Sequence, residues 1–220
     1  MIDHTFLSST VLFHGIDSSE MELCLKTLNA YEKKYKKGEF ILHAGNSTNE
    51  MGIVYEGSLS IESNDIWGNC TVLNVIRKGG FFAESYAINA GEILAVDVKA
   101  NSDSDIIFLD LRPVKSKTFT NQPWTAKFLS NLLIISTRKN LALSSRSFHN
   151  APKTIRGKLL SYLNFVSIKK GISEFDIPFN RQQLADYLNV DRTNLSKEIS
   201  LMKSEGLIDC KKNHFKLFNM

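Results

Sequence analysis

The spacing of apolar positions changes twice along the chain. From Ser18 to Tyr31, Met21, Leu25 and Leu28 stand at helical spacing, with Ser18 or Ser19 as a cap and Glu20 and Glu22 in the first turn; this predicts a short helix. Between Lys33 and Asp110 the pattern shortens to runs rich in Val, Ile, Phe and Tyr: KKYKKGEFILHAG, MGIVYEGSLSIES, CTVLNVIRKGG, ILAVDVKANS and DIIFLDL. Gly38, Gly45, Gly57, Gly79, Gly80 and Gly91 separate them, so the segment reads as an antiparallel β-domain, a barrel or a sandwich. Helical spacing returns at Pro123 and lasts to about Ser147 with no Gly or Pro. There Phe128, Leu132, Ile135, Lys139 and Ala142 form one row, with Leu129, Leu133, Ser136, Asn140 and Leu143 beside it. A helix of that length spans about 37 Å, more than a small barrel covers. A second copy of the helix is the economical partner, with Phe128, Leu132, Ile135 and Ala142 in the seam. The alternative is a helix packed wholly on its own barrel.

The pattern breaks at Asn150 and Pro152, and Ile155, Leu159, Leu163 and Val166 restart it as a second, helical unit. IKKGISEFDIPF reads as a loop or small hairpin. Two short helices follow, NRQQLADYL and DRTNLSKEISLMKSEG, capped by Asn180 and Asp191 and joined through Asn189-Val190. Leu184, Leu188, Val190, Leu195, Ile199 and Met202 supply the contacts, with small Ala185 at the crossing and Asn189 where the turn needs a positive φ. This is a helix-turn-helix pattern. Arg192, Thr193, Asn194, Ser196 and Lys197 lie on the outer face of its second helix, where side chains reach base edges when a helix enters a major groove. Leu207-Ile208 and Phe215-Lys216-Leu217 flank KKNH as a hairpin wing. The competing reading is an ordinary helical hairpin with a solvated face.

Composition narrows the classes. Of 220 residues, 43% are hydrophobic and 23% charged, with 12 Gly and 4 Pro, which suits folded domains and excludes disorder or collagen. The longest aliphatic run is Leu132 to Ile135 and the N-terminus lacks the layout of a signal peptide, so the expected location is cytoplasmic, without a membrane partner. Cys24, Cys70 and Cys210 are isolated and form no CxxC. Net charge is uneven: residues 1–149 carry 15 Lys and Arg against 16 acids, residues 150–220 carry 12 against 7. The surplus positive charge therefore sits beside the helix-turn-helix, as a nucleic-acid partner requires. A barrel enzyme with an accessory helical domain is the alternative from another class, but His14 and His43 are isolated and no HxH, GxSxG or P-loop occurs, so the chain does not read as an enzyme.

The tail FNRQQLADYLNVDRTNLSKEISLMKSEGLIDCKKNHFKLFN resembles the winged helix of the CRP/FNR family of bacterial transcription regulators, and KKGEFILHAG and MGIVYEGSLSI resemble its cyclic-nucleotide-binding-type barrel. The resemblance extends over nearly the whole chain. It implies an α+β fold: a jelly-roll type antiparallel β-barrel as sensor over residues 1–120, a dimerisation helix over 121–149 and a winged helix-turn-helix over 150–220. It further implies a homodimer on an inverted repeat in double-stranded DNA, with RNA polymerase as a partner. Arg192, Thr193, Ser196 and Lys197 match base-reading positions, and Arg181 and Gln182 match phosphate-contacting ones. Lys197 stands where the family more often has Arg, and Thr193 replaces a Glu, so the DNA sequence read need not be a familiar one.

The barrel departs further from the family. Members that bind a cyclic nucleotide hold it with a glycine and glutamate and then an Arg-Ser/Thr-Ala; here the corresponding stretch is FFAESYAINAGEILAVDV. Glu84 remains, Ala83 replaces the glycine, and no Arg or Lys occurs from Ala83 to Val98. A buried phosphate without a cation is costly, so the expected pocket is apolar, lined by Phe81, Phe82, Glu84, Tyr86, Ile93 and Leu94, with an uncharged or weakly charged effector, or none, and no cofactor. A cyclic-nucleotide receptor with other phosphate contacts is the alternative. The four clustered cysteines of the family's oxygen sensors are absent; haem at His4, His14 or His43 and a redox switch at Cys24 or Cys70 are minor readings.

Overall fold

A computed structural model of the chain describes residues 2–64, 70–89 and 91–218. In chain order the elements are α1 (His4–Ser8), α2 (Ser18–Thr27), β1 (Tyr31–Tyr35), β2 (Phe40–Leu42), β3 (Glu50–Glu56), β4 (Ser58–Asn64), β5 (Cys70–Arg77), β6 (Phe81–Phe82), α3 (Glu84–Ile88), β7 (Asp97–Ala100) and β8 (Ser104–Asp110). A short 3-10 turn (Arg112–Lys115) leads to α4 (Lys117–Thr120), the long α5 (Thr125–Asn150), α6 (Ile155–Lys170), β9 (Glu174–Asp176), α7 (Arg181–Tyr187), α8 (Arg192–Ser204), β10 (Ile208–Lys211) and β11 (His214–Leu217). The chain divides into two compact units, Met1–Thr137 and Arg138–Met220, with the division inside α5.

In the first unit two four-stranded antiparallel sheets, ordered β1-β8-β3-β6 and β2-β7-β4-β5, enclose one core and carry a second on an outer face. The continuous run Ile106–Leu109 in β8 explains why. Ile106 and Phe108 join Val54, Leu59, Phe82 and Val98 between the sheets, whereas Ile107 and Leu109 face the helices with Met51, Ile53 and Phe81. A strand covered on both faces loses the polar-apolar alternation of a half-exposed one.

Two expectations need correction. The cap of α2 is Asp17, not Ser18 or Ser19: Glu20 accepts from the Asp17 backbone N–H at 3.1 Å, closing a capping box one residue earlier. The row Phe128, Leu132, Ile135 is not a seam, for these residues are only 0%, 3% and 5% exposed within their own chain. The barrel is not the sole partner of this row. Residues 4–28 add Leu7, Leu12, Phe13, Ile16 and Met21 to the same core, and that cover is enough to bury the row. Buried Asn131 donates to the carbonyls of Leu12 (3.0 Å) and His14 (2.8 Å), and Lys127 pairs with Glu20 at 2.8 Å, so α5 is fastened to this segment. Ala142 is exposed, as are Leu133 (67%), Leu141 (63%) and Phe148 (72%).

In the second unit Leu159, Leu163, Phe175, Leu184, Ala185, Leu195, Ile199, Met202 and Phe215 make a core of their own. IKKGISEFDIPF is neither plain loop nor hairpin. α6 continues to Lys170, Gly171 closes it at φ 69°, and β9 joins β11 to make a three-stranded wing ordered β10-β11-β9.

Candidate nucleic-acid interface

The helix-turn-helix is set by its caps and its turn. The Asn180 side chain accepts from the Gln183 N–H and the Gln183 side chain from the Asn180 N–H, each at 2.9 Å, so α7 starts in a capping box. Buried Ala185 lets the helices approach, and Asn189 adopts φ 49°, the left-handed conformation that Asn tolerates best after Gly. Asp191 then accepts from the Asn194 N–H at 2.8 Å and opens α8.

On α8 the buried residues Leu195, Ile199 and Met202 define the inner face. Thr193 and Lys197 fall opposite them, and by the same spacing so does Ser200, which sequence reasoning passed over although i, i+4, i+7 spacing from Thr193 reaches it. Arg192, Thr193, Asn194 and Lys197 are exposed and Ser196 is half-buried. Arg192 and Asn194 leave the helix toward its two flanks, so the five residues share an end of α8 rather than one narrow stripe. Ser196 donates to the Arg192 carbonyl at 2.9 Å and Ser200 to that of Ser196 at 3.1 Å, leaving their oxygens as acceptors.

Charge on this surface is sorted. Arg156 binds Glu198 through Nε at 2.6 Å and Glu205 through both terminal nitrogens at 2.7 and 2.9 Å. Lys203 pairs with Asp209 at 2.8 Å. Among the described residues, Arg192, Lys197, Lys211 and Lys212 have no ion pair. Lys212 sits at φ 57° in the exposed turn between β10 and β11, where the hairpin reading already placed a basic tip. Arg181 is half-buried and leans on the wing: its guanidinium is 3.5 Å from the Lys212 carbonyl and 5.8 Å over the Phe215 ring. A 490 Å³ cleft lies between the start of α7 and that turn, lined by Phe179, Asn180, Arg181, Gln183 and Lys212. Gln182 is exposed and donates to Asp186 at 2.8 Å.

The proposed effector residues do not line one cavity. Phe81 and Phe82 are adjacent in β6 and therefore point to opposite faces, Phe81 into the helix-side core and Phe82 between the sheets. There the Phe82 ring lies flush on Gly52, where any Cβ would clash, and packs edge-on to Phe108 at 6.1 Å. Glu84 is buried in the first turn of α3, behind Ala83 at φ 63°. Leu94 is buried, Ile93 is exposed, and the Tyr86 hydroxyl is 3.5 Å from the Ala95 N–H. Ala90, within the same stretch, lies outside the described residues. His4, His14 and His43 are all exposed. Burial pushes the Cys24 thiol well up, and desolvation with the neighbouring Glu62 raises that of Cys70, so both stay protonated at neutral pH.

Two family models match separate parts of the chain. Residues 32–121 match the family described as cyclic nucleotide-binding domain, and residues 157–220 match that described as Crp-like helix-turn-helix domain. The chain is 18% identical to the cAMP-activated global transcriptional regulator CRP of Pasteurella multocida, over 80% of this chain and 84% of that one. It is 21% identical to the transcriptional activator protein FnrL of Cereibacter sphaeroides, over 81% and 72% of the two chains. These relatives are regulators of transcription, not enzymes. The fold also matches the c-di-GMP responsive global regulator CLP of Xanthomonas campestris, with a TM-score of 0.58 at 14% identity over 93% of this chain and 100% of that one.

Proposed function

We propose that this chain, which belongs to the CRP/FNR family of transcription regulators, binds an inverted repeat in double-stranded DNA as a homodimer and reads base edges from α8. The observation that carries the reading is the outer face of α8: Thr193, Lys197 and Ser200 stand opposite the buried row and Lys197 has no ion pair, while Arg156 pairs with both Glu198 and Glu205 and offsets one of their two charges. Arg192, Asn194 and Ser196 complete the base-reading end. Arg181 and Gln182 at the start of α7, with Lys211 and Lys212 in the wing, supply the phosphate contacts that fix register.

The dimer seam is the exposed stripe of α5. Leu133, Leu141 and Phe148 recur about every two turns on a face that the chain leaves uncovered, and a second α5 related by a two-fold axis covers it with the same residues. A two-fold dimer presents its recognition helices about 34 Å apart, one turn of DNA. Selection of bound DNA from a random pool, followed by footprinting, tests both parts. Two protected half-sites one turn apart are expected; a single half-site protected by monomer refutes the dimer, and no enrichment refutes sequence reading.

The barrel's effector is an uncharged or weakly charged small molecule other than a cyclic nucleotide, and RNA polymerase is the downstream partner, in the cytoplasm. A second reading, a cyclic-nucleotide receptor, draws on the domain match over residues 32–121 and on buried Glu84, which can accept from a ribose hydroxyl. Titration with cyclic AMP and cyclic GMP separates the two. Among the described residues no helix is long and apolar enough to cross a membrane.

A further inference from the structure

The last turn of α5 grips the last residue of α7. Arg146 donates from Nε to the Tyr187 carbonyl at 3.1 Å and from Nη2 to the Asp186 carbonyl at 2.9 Å. Its guanidinium also lies 5.7 Å over the Tyr187 ring. Asn150 donates to the same Tyr187 carbonyl at 3.0 Å, and buried His149 shares a 2.8 Å hydrogen bond between Nδ1 and the Tyr187 hydroxyl. One residue, Tyr187, is therefore held by its carbonyl, its ring face and its hydroxyl, all from positions 146–150. Lys158 on α6 reaches the next two carbonyls, Leu188 at 3.2 Å and Asn189 at 3.3 Å.

These carbonyls close a helix. The end of α7 leaves acceptors without intrahelical donors, and the left-handed Asn189 turn satisfies only some of them: Val190 N–H takes Ala185 and Asn189 N–H takes Asp186 at 3.3 Å. The Tyr187 carbonyl has only the side chains of Arg146 and Asn150 as donors among the described contacts. Cationic donors at a helix C-terminus are favourable for both hydrogen bonding and the helix dipole. The planar fork of an arginine gives each of two successive carbonyls its own fixed donor nitrogen, whereas a lysine reaches two from a single ammonium, as Lys158 does at longer distances. Four residues beyond Tyr187, Asp191 opens α8, so the orientation of the base-reading helix depends on where α7 ends.

We propose that Arg146 is a positioning residue for DNA recognition, fixing the end of α7 through the Asp186 and Tyr187 carbonyls and thereby aiming α8. The proposal rests on the reading of α8 as the base-reading helix. Arg146 acts through protein carbonyls and not through phosphate, which distinguishes it from Arg181.

The test uses the full chain and the DNA that the wild type selects from a random pool. Arg146→Ala is expected to weaken binding to selected DNA about tenfold while changing random-DNA binding little, with the dependence on log salt unaltered. Arg146→Lys, with one donor point, recovers part of the loss. Hydrogen exchange of both variants should show the amides of Leu188, Asn189 and Val190 less protected while those of β10 and β11 keep wild-type rates, which separates a loosened turn from an unfolded unit. Wild-type affinity with wild-type protection at these amides would overturn the proposal. A parallel loss on both DNAs with a shallower salt dependence would instead make Arg146 a phosphate contact, and faster exchange throughout β10 and β11 in both variants would make it a structural residue only. If the wild type itself enriches no sequence, the reading of α8 fails, and the exchange arm still decides whether Arg146 holds the turn.

Discussion

Asn29, Ala83, Asn189 and Lys212 occupy left-handed backbone where most side chains are strained, and Asn189 and Ala83 differ in what they cost. Asn189 at φ 49° is suited to its turn. Ala83 at φ 63° is not: a Cβ in that region costs roughly 1–2 kcal/mol, of which glycine's greater freedom in the unfolded chain takes back about 0.5–1. Ala83→Gly should therefore raise stability by up to about 1 kcal/mol, seen as a higher urea midpoint at constant slope. A lower midpoint would mean that the backbone there tolerates a methyl group without strain. At the proposed DNA face, substitutions of Lys197 and Arg181 are expected to separate base reading from charge. Lys197→Ala should cost about 1–3 kcal/mol on selected DNA and relax sequence choice. Arg181→Ala should weaken all DNA alike and reduce the log–log salt slope by about one. Equal losses on selected and random DNA for Lys197 would remove it from the base-reading set.

At the level of elements, α5 shows what periodicity reveals and where it stops. The chain pattern made both rows of α5 visible, Phe128-Leu132-Ile135 and the neighbouring one through Leu133, but which row meets the chain's own core depends on residues 4–28, whose contribution no local period announces. The helix-turn-helix was more legible because its determinants are local: caps at Asn180 and Asp191 and a positive φ at Asn189. The grip of Arg146 on Tyr187 joins positions about forty residues apart and leaves no mark in spacing. The corrected rows give a sharp contrast. Leu133→Glu with Leu141→Glu should convert a dimer to a folded monomer in sedimentation, whereas Leu132→Ala should cost about 2–5 kcal/mol of stability. A folded dimer surviving the double exchange would move the seam elsewhere. Two histidines in the second unit should act on opposite sides of pH 6.5, the ordinary imidazole value. Burial beside Tyr162, Phe165 and Tyr187 lowers the pKa of His149, so the unfolded chain takes up its proton first and stability falls as the pH drops below that value. Glu174 and then Asp176 raise the pKa of His214; its contribution is complete below the ordinary value and is lost as the pH climbs through the raised one. Urea midpoints between about pH 5 and pH 9 should flatten on the acid side in His149→Gln and on the alkaline side in His214→Gln.

For the molecule as a whole, the uneven charge and the order of barrel, long helix and winged helix were readable because each rests on composition or on runs of many residues. The effector was not, since a pocket is made by side chains from strands distant in sequence, and adjacency in sequence is a poor guide to it: Phe81 and Phe82 are neighbours that serve two different cores. What the structure adds is the whereabouts of the barrel's cations. Lys99 alternates with Val98 and Ala100, which face the core between the sheets, so its side chain leaves by the other face, where it lies over Phe40 at 5.2 Å. Lys34 and Lys36 pair with Asp105 and Asp103 at 3.2 and 2.9 Å, and Lys78 covers Phe6 and Tyr55 at 5.4 and 5.3 Å, all three exposed. The cluster between the sheets is aromatic and aliphatic, with Phe82 seated against Gly52, and the buried polar side chains of its strands, among them Ser60, Glu62 and Ser104, include no cation among the described residues. A cyclic phosphate placed there would lose its hydration without gaining a cation, a cost of several kcal/mol that one hydrogen bond from a ribose hydroxyl to Glu84, about 1.5–3 kcal/mol when charge-assisted, does not offset. Calorimetry with cyclic AMP and cyclic GMP is therefore expected to show no binding at micromolar concentrations and no tightening on selected DNA. Micromolar binding of either nucleotide together with tighter DNA binding in its presence would establish the cyclic-nucleotide receptor instead, and would require a cation from elsewhere to close over the phosphate.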